Sequence, residues 1–374
     1  MHQDVNRPIK IAFDAKRIFH NGEGLGSYAR TLVSSMQEYL PEYAYFLCTP
    51  TLSKHQYAKA FLDEKKYSHI LAPPSANQAY WRSRGILRQL KEKDIDIYWG
   101  LSNELPIGIT ESGCQSIVTI HDLFYKKYPR QFKWVDRVIL GRKYRSSIQS
   151  ASKILVPSIS TQKDLLMYFP KAKNRVEVVY QSTQYEGRVP EVLRDMEPYY
   201  LMVGSITPRK NLDLVVNTYA ELEPEHRLKV KVVGRETRYA DKLRTRINQH
   251  GVSDYFDFMG QVSDSELWTL YSGARALLFP SRYEGFGIPI IEALSAGVPV
   301  IGNSRSSIPE VVGKHGIVIE YDSTESLKAA FLKMKDDSIH RGLLKDVERH
   351  LYSFSKERVI KVVKKVLNDL IGQN

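Results

Sequence analysis

Short apolar runs rich in valine, isoleucine and leucine alternate along the chain with amphipathic stretches of helical length. Strands of a parallel sheet are buried on both faces, so they appear as continuous apolar runs rather than as alternating patterns. The pattern therefore predicts an α/β fold in which helices cover parallel sheets. The predicted strands are Ile9–Phe13, Tyr45–Cys48, Ile95–Trp99, Ser116–Ile120, Lys153–Val156 and Val176–Val179 in the first half, and Tyr199–Val203, Leu228–Val233, Phe256–Phe258, Ala276–Phe279, Val298–Ile301 and Gly316–Ile319 in the second.

The alternation is interrupted once, by a polar segment at Gln181–Pro198 that contains a glycine and two prolines. Domain boundaries fall in such segments. We therefore expect an N-terminal domain over residues 1–185 and a C-terminal domain over residues 186–355. The C-terminal segment, about residues 356–374, has a helix with a broad apolar face that we expect to pack back on the N-terminal domain. The clearest predicted helices are Ser27–Tyr39, Asn211–Leu222, Tyr239–His250 and Lys356–Ile371.

The composition places limits on the class of protein. A chain of 374 residues is long enough for two domains, and its charged content of 26% is ordinary for a globular protein. The sequence predicts no membrane span, and its polar N-terminus lacks the apolar core of a secretory signal. Only two cysteines are present, Cys48 and Cys114, and they have no metal-ligand spacing. This favours a reducing compartment, so we expect a cytoplasmic protein.

Nearly all of the net charge of +12 lies in the first half of the chain. The densest basic segment runs from Lys126 to Arg145, where aromatic residues are interleaved with the cations and Asp136 is the single acid. Such a segment attracts anionic partners, and peripheral docking on the inner face of the plasma membrane is the functional interpretation. A solvated helix face is the plain alternative. Nucleic acid is disfavoured, because no nucleic-acid-binding motif accompanies the segment.

Glycines cluster in Gly22-Glu23-Gly24-Leu25-Gly26, between the first strand and the predicted helix Ser27–Tyr39. Glycine lets the backbone approach a ligand closely, and a helix start offers unpaired N–H groups to an anion. The spacing is Gly-x-Gly-x-Gly, some ten residues beyond the strand, which disfavours a dinucleotide-dependent oxidoreductase. A flexible loop that needs glycine is the alternative interpretation.

A basic pair follows the strand Tyr199–Val203. Arg209 and Lys210 lie between this strand and the next predicted helix, where open α/β sheets bind ligands. A guanidinium beside an ammonium suits a pyrophosphate, because arginine offers forked donors and lysine a mobile charge. The alternative is a pair of solvated cations.

A pair of acids follows the strand Ala276–Phe279. Glu284 and Glu292 flank a segment with two glycines, where Pro289 is predicted to open a helix and Gly297 to end it. Carboxylates at such a helix start accept hydrogen bonds from sugar and ribose hydroxyls, while the helix end binds phosphates. A turn with a helix cap is the alternative interpretation.

These motifs together resemble those of the retaining glycosyltransferases of family 4, which have the GT-B fold. Ser281-Arg282-Tyr283-Glu284-Gly285-Phe286-Gly287-Ile288-Pro289 with Glu292 resembles their Glu-x7-Glu signature, and Arg209-Lys210-Asn211 resembles their donor-phosphate motif. His121-Asp122-Leu123 is similar to the His-Asp segment of their N-terminal domain. The resemblance covers nearly the whole chain and is strongest from Tyr199 to Ile319. It implies two Rossmann-like, doubly wound domains that face each other across a cleft.

The resemblance also implies roles for individual residues. Glu284 is expected to contact the transferred sugar near the reacting centre, and His121 to lie beside that sugar; these two are the expected catalytic residues. Arg209 and Lys210 are expected to neutralise the leaving diphosphate, and Glu292 to hold the ribose. The expected donor-binding set is completed by Gly24, Gly26, Gly204, Gly287 and Ile288.

The implied reaction is transfer of a hexose, with retention, from a nucleotide sugar to a lipid-linked or polysaccharide glycan. The motifs resemble those of mannosyl- and rhamnosyltransferases of bacterial surface polysaccharides, so GDP-mannose is favoured slightly over a UDP-sugar. No cofactor or metal is expected, because the basic pair supplies the positive charge that magnesium would. The alternatives are an epimerase or phosphorylase on the same fold, and a non-catalytic nucleotide-sugar binding protein.

Overall fold

A computed structural model describes residues 7–190 and 197–372. The chain divides into two compact units, one made of the residues up to Gln184 together with those from Lys356 onward, the other of Tyr185–Ser355. The boundary between Gln184 and Tyr185 lies inside the expected linker, whose residues 191–196 are outside the described ranges, as is the N-terminal segment 1–6. In the described ranges, no helix has the length and apolar character needed to cross a membrane.

The first unit is built on seven parallel strands: β1 (Lys10–Asp14), β2 (Ala44–Thr49), β3 (Ser68–Leu71), β4 (Ile97–Gly100), β5 (Gln115–Thr119), β6 (Lys153–Val156) and β7 (Val176–Val178). Their order in the sheet is β3-β2-β1-β4-β5-β6-β7. The order reverses between β1 and β4, so this is a doubly wound sheet. The central strand β1 is buried from Ile11 to Asp14, because helices cover both faces.

The helices of the first unit are Lys16–His20, Gly24–Tyr39, Gln78–Tyr80, Ile86–Glu92, Phe124–Lys127, Trp134–Ser150, Ile159–Tyr168 and Lys356–Ile371, with a π-helical turn at Trp81–Gly85 and 3-10 turns at Gln56–Leu62, Ile109–Glu111, Pro129–Gln131 and Pro170–Arg175. The helix Lys356–Ile371 packs against Gly24–Tyr39. Its buried residues include Val363 and Leu367, which explains the apolar face in the sequence.

The second unit is built on six parallel strands: β8 (Tyr199–Val203), β9 (Lys229–Val233), β10 (Phe256–Gly260), β11 (Ala274–Phe279), β12 (Val300–Asn303) and β13 (Gly316–Ile319). Their order is β10-β9-β8-β11-β12-β13, with a reversal between β8 and β11. The helices are Leu212–Glu221, Arg238–Gln249, Asp264–Ser272, Ile288–Ser295, Ile308–Val312, Thr324–Met334, Asp337–Leu343 and Val347–Leu351, with 3-10 turns at Pro208–Lys210, Pro224–His226, Ser253–Tyr255 and Tyr352–Phe354.

The predicted α/β class with doubly wound sheets is confirmed. All twelve predicted strands are present, with ends that differ by no more than two residues from those expected. One strand was missed, β3, whose sequence is Ser-His-Ile-Leu. It lies at the edge of its sheet, so only Ile70 is buried and the strand has no continuous apolar run.

Candidate functional site

The second unit has a crevice where its strand order reverses. Open α/β sheets bind ligands at the carboxyl ends of the strands that flank such a reversal. Here those strands are β8 and β11, and the loops that follow them are the ones that carry the expected phosphate and sugar contacts. Both loops line one concavity, to which they contribute Gly204, Thr207, Lys210, Phe279, Pro280 and Ser281.

The loop after β8 holds the basic pair in a defined geometry. Arg209 and Lys210 form a 3-10 turn that ends at Asn211 in the left-handed conformation, with φ 58°. Asparagine is one of the few residues that adopt this conformation routinely. Gly204 gives Lys210 its space, because a Cβ there would lie 2.7 Å from the Cε atom of that lysine. The ammonium of Lys210 lies 4.6 Å from the centre of the Phe279 ring.

Glu284, in the loop after β11, joins both cations. One carboxylate oxygen accepts a hydrogen bond from Nη1 of Arg209, and the other accepts one from Nζ of Lys210 at 2.8 Å. The Glu284 side chain is 11% exposed. Burial raises the pKa of this carboxyl, but the charges of Arg209 and Lys210 outweigh burial and bring the pKa to about 2. Glu284 is therefore ionised at neutral pH and forms an ion pair with each of the two basic groups.

Two serines that follow β12 fix the backbone of this loop. The amide N–H of Glu284 donates to Oγ of Ser306 at 2.9 Å. The hydroxyl of Ser307 lies 3.0 Å from the carbonyl oxygen of Glu284 and 2.6 Å from that of Phe286, so two acceptors share it. Sequence reasoning assigned no role to either serine. The available signal in the sequence was their place between β12 and the helix Ile308–Val312.

Glu292 lies one turn into the helix Ile288–Ser295. Ile288 is the first residue of this helix and Pro289 the second, which corrects the expectation that Pro289 opens it. Gly287 precedes the helix with φ 116°, a conformation that favours glycine. Gly297, also at positive φ, follows the helix end as expected.

The carboxylate of Glu292 is buried and accepts a hydrogen bond from the hydroxyl of Tyr271 at 2.8 Å. Burial raises the pKa of Glu292 to about 7; the Tyr271 hydrogen bond opposes the rise and the charge of Asp264 adds to it. In the described ranges its carboxylate has no hydrogen bond or ion pair with Arg209 or Lys210. The structure thus brings Arg209, Lys210 and Glu284 together, with Glu292 in the adjoining helix.

His121 follows β5 in the first unit and is buried. Its Nε2 lies 2.8 Å from the carbonyl oxygen of Leu101, and its Nδ1 lies 3.2 Å from Nε2 of Gln181. The ring therefore donates through Nε2 and accepts through Nδ1. Burial lowers the pKa of His121 to about 4, with the Leu101 carbonyl opposing and Arg17 adding to the shift. The imidazole is neutral at physiological pH and both of its nitrogens are occupied.

The glycine segment differs from the expectation. The helix begins at Gly24 rather than at Ser27, so Gly24 and Gly26 lie in its first turn and not in a loop before it. The N–H of Gly26 donates to the carbonyl oxygen of Glu23 at 2.8 Å. A Cβ at position 26 would lie 1.8 Å from the carbonyl oxygen of Asn21. Glycine is therefore required at position 26 by close packing within the protein. The same helix places Tyr28 edge-on to the His121 ring, at 4.7 Å between centroids.

This arrangement combines a fixed pair of cations, an ionised carboxylate and a helix start at one sheet edge. Such a set can bind an anion through the cations and the helix N–H groups, and polar hydroxyls through the two carboxylates. Within the described ranges, no group of three His, Cys, Asp or Glu side chains could hold a metal ion.

Comparisons with known proteins identify the class. Residues 22–182 match the family model "Glycosyltransferase Family 4", and residues 185–349 match the model "Glycosyl transferases group 1". The chain belongs to the family 4 glycosyltransferases, with the GT-B fold, and the family resemblance read from its motifs is confirmed.

Individual relatives agree with this assignment. The chain is 28% identical, over 88% of its length and 92% of the relative, to the O-antigen chain mannosyltransferase B of Escherichia coli. Its fold is similar to that of sucrose-phosphate synthase from Thermosynechococcus elongatus, with a TM-score of 0.77, 17% identity and coverage of 98% of this chain and 100% of that one. It is also similar to Anabaena HepE, solved in complex with UDP, with a TM-score of 0.72, 14% identity and coverage of 97% and 100%.

Proposed function

We propose that this glycosyltransferase moves a hexose from a nucleotide sugar, GDP-mannose in preference to a UDP-sugar, to a glycan acceptor with retention of configuration. The observation that carries the proposal is the contact of Glu284 with both Arg209 and Lys210 at the strand reversal of the second unit. This contact supports the proposal, because the carboxylate that would bind the sugar lies beside the two cations that would bind the diphosphate.

The chemical step breaks the bond between the anomeric carbon and the diphosphate oxygen, and forms a bond from that carbon to an acceptor oxygen. Negative charge grows on the diphosphate, where Arg209, Lys210 and the start of the helix Ile288–Ser295 would stabilise it. Positive charge grows on the sugar ring, near which the Glu284 carboxylate would lie. The departing phosphate would take the acceptor hydroxyl proton, so the reaction needs no protein nucleophile.

His121 has a positioning role in this proposal. The neutral ring, held between Leu101 and Gln181, cannot act as a general acid near pH 7. Its hydrogen bonds instead fix the backbone that follows β5 in the first unit. Glu292 would bind the ribose hydroxyls, with Tyr271 keeping its carboxylate in place.

The name of one relative supports the proposed sugar and acceptor. The E. coli relative is named as a mannosyltransferase of the O-antigen chain, which supports mannose as the sugar and a growing surface polysaccharide as the acceptor. A lipid-linked acceptor would be met at a membrane surface, and the basic segment from Lys126 to Arg145 would hold the enzyme there, at the inner face of the plasma membrane.

The test combines nucleotide binding with turnover. Thermal-shift measurements with GDP, UDP, GDP-mannose and UDP-glucose should show the largest stabilisation with the true donor, because a ligand that binds the folded state raises its apparent stability. The double substitution of Arg209→Ala and Lys210→Ala should abolish that stabilisation. Arg244→Ala, which removes an exposed ion pair with Glu236 in the same unit, is the matched control.

Nucleotide release in the presence of lipid-linked and free glycans then distinguishes an enzyme from a binding protein. Release that depends on the acceptor and on Arg209 supports the transferase. Stabilisation by a nucleotide sugar without release, for every donor and acceptor tried, would instead identify a non-catalytic nucleotide-sugar binding protein.

A further inference from the structure

The helix Trp134–Ser150 has two apolar faces. The inner face packs on the core of the first unit through Tyr144 and Ile148, with Leu140 partly buried beside them. The outer face consists of Trp134, Val135, Val138 and Ile139, which are 72%, 46%, 40% and 48% exposed. Residues at spacings of three and four lie on one side of a helix, so these four form one stripe, here called the outer stripe.

The outer stripe is unusual for a surface that faces only water. Single exposed apolar residues are normal, but adjacent ones on a rim of polar residues mark an interaction surface. The inner face already fixes the helix to the core, so folding of the first unit does not require the outer stripe. The four side chains are therefore available to a partner.

The charges around the outer stripe indicate the chemistry of that partner. Arg142 and Arg145 continue the same side of the helix, three and six residues beyond Ile139. Lys127 and Lys143 are paired with Asp164 and Glu104. In the part of the chain that the structure describes, no ion pair is formed by five exposed cations: Arg130, Lys133, Arg137, Arg142 and Arg145.

A surface that combines exposed apolar side chains with cations that form no ion pair is complementary to an anionic lipid bilayer. Helices that lie in the plane of a membrane bury their apolar face at the boundary of headgroups and acyl chains, and basic residues beside them attract anionic lipids. Tryptophan is enriched at that boundary because its ring is amphipathic. We propose that the outer stripe docks this protein on an anionic membrane surface, with Trp134, Val135, Val138 and Ile139 inserted among the lipids.

This inference deepens the proposed function, because it gives a lipid-linked acceptor a defined meeting surface. It does not depend on transfer activity, and vesicle binding can be measured without a donor or an acceptor. Failure of the docking surface would leave nucleotide binding and turnover intact, and failure of the proposed reaction would leave vesicle binding intact.

The test is co-sedimentation with vesicles of phosphatidylcholine alone and of phosphatidylcholine mixed with phosphatidylglycerol. The wild type should bind the anionic vesicles, with binding that weakens as salt is raised. The double variant with Trp134→Ser and Val138→Ser should lose at least about tenfold in partition coefficient, because two inserted side chains are removed. Met167→Ser, at a residue 65% exposed on the helix Ile159–Tyr168, is the matched control and should bind as the wild type does.

Fluorescence gives a second readout. The other three tryptophans, Trp81, Trp99 and Trp268, are buried, so a blue shift of the emission on vesicle binding reports on Trp134. Thermal melts of both variants establish that they are folded. Equal vesicle binding by wild type and double variant would overturn the proposal. The proposal would also be overturned if the wild type did not bind anionic vesicles. Light scattering that showed the outer stripe to mediate only self-association would overturn it as well.

Discussion

Substitution of Glu284 by glutamine should separate nucleotide binding from transfer. In the structure the Glu284 carboxylate occupies both Arg209 and Lys210, the two groups proposed to bind the diphosphate. A nucleoside diphosphate must therefore compete with the Glu284 carboxylate for these two cations. Glutamine keeps the size of the side chain and one acceptor oxygen but removes the charge, so the cations become available. We expect Glu284→Gln to bind free GDP or UDP more tightly than the wild type and to transfer sugar more slowly.

The geometry sets the size of both effects. At an effective dielectric constant of 20, two unit charges about 4 Å apart attract each other by about 4 kcal/mol. Part of this is recovered when Glu284 moves aside, so we expect about 1.4 kcal/mol of tighter binding, which is roughly tenfold in Kd. Transfer should fall by about a hundredfold, the usual effect of removing one electrostatic contact to the transition state.

The ligand-free variant should also be less stable than the wild type. Removing one partner of a buried ion pair costs up to about 5 kcal/mol, because the remaining charge is left without compensation. Arg209 is 30% exposed and still donates to the carbonyl oxygen of Tyr283, so we expect about 1–3 kcal/mol here. Added GDP or UDP should restore most of this loss.

Isothermal titration calorimetry with GDP and UDP, together with single-turnover transfer, measures both quantities on the same preparation. Glu236→Gln is the matched control, because Glu236 also forms an ion pair with an arginine but on the exposed surface of the same unit. If nucleotide affinity fell in parallel with transfer, Glu284 would be a binding group for the nucleotide and not its competitor, and this reasoning would be refuted.

Four further substitutions test other features of the protein. The pKa of Glu292 is raised from 4.5 to about 7, so its contribution to stability is present below pH 4.5 and is lost as the pH rises through 7. The stability of Glu292→Gln relative to the wild type should therefore rise over this pH window, by up to roughly 3 kcal/mol in denaturant titrations. Ser307→Ala leaves two carbonyl groups of the Glu284 loop without their shared donor, which should lower the free energy of unfolding by about 1–3 kcal/mol. The substitution should reduce kcat more than it reduces nucleotide affinity. Equal losses of kcat and of nucleotide affinity would indicate general unfolding. Gly26→Ala should destabilise the protein by about 1–3 kcal/mol or more, because the added Cβ meets the Asn21 carbonyl. Gly24→Ala has open space around its Cβ and should keep or raise the melting temperature. A lower melting temperature for Gly24→Ala than for Gly26→Ala would contradict the helix start at Gly24.

The parts of the fold that the sequence predicts are those where burial is uniform. Strands such as β8 and β11 are covered on both faces, so each of them appears in the sequence as a continuous apolar run. β3 pairs on one side only and carries Ser68 and His69, which leaves no such run. The glycines at 24 and 26 predicted a loop that the structure does not have, because glycine usually weakens a helix. Close contact with the Asn21 carbonyl requires glycine at position 26, whereas a Cβ at position 24 would meet nothing within 4 Å.

The charged residues of the candidate site could be predicted from the sequence, but the residues that hydrogen-bond to the Glu284 loop could not. Arg209, Lys210 and Glu284 follow the two strands that flank the reversal, so sheet topology alone brings them to one edge. Which groups hold Glu284 in place depends on the path of a third loop, 22 residues further along the chain, where Ser306 accepts its N–H. A serine pair in a loop has many possible partners, so its role emerges only from coordinates.

The two glutamates of the motif show how one residue type acquires two different charge states from its surroundings. Glu292 is buried and Glu284 is largely so, and burial raises the pKa of each, but only Glu284 has cations beside it that reverse the shift. Glu284 thus remains an anion across the physiological range, whereas Glu292 changes charge near pH 7 and can either donate to or accept from a ribose hydroxyl. His121 stays neutral above about pH 4. Of these three groups, only Glu292 can therefore make donor binding depend on pH near neutrality, and Glu292→Gln should flatten any such dependence of the Kd for nucleotide.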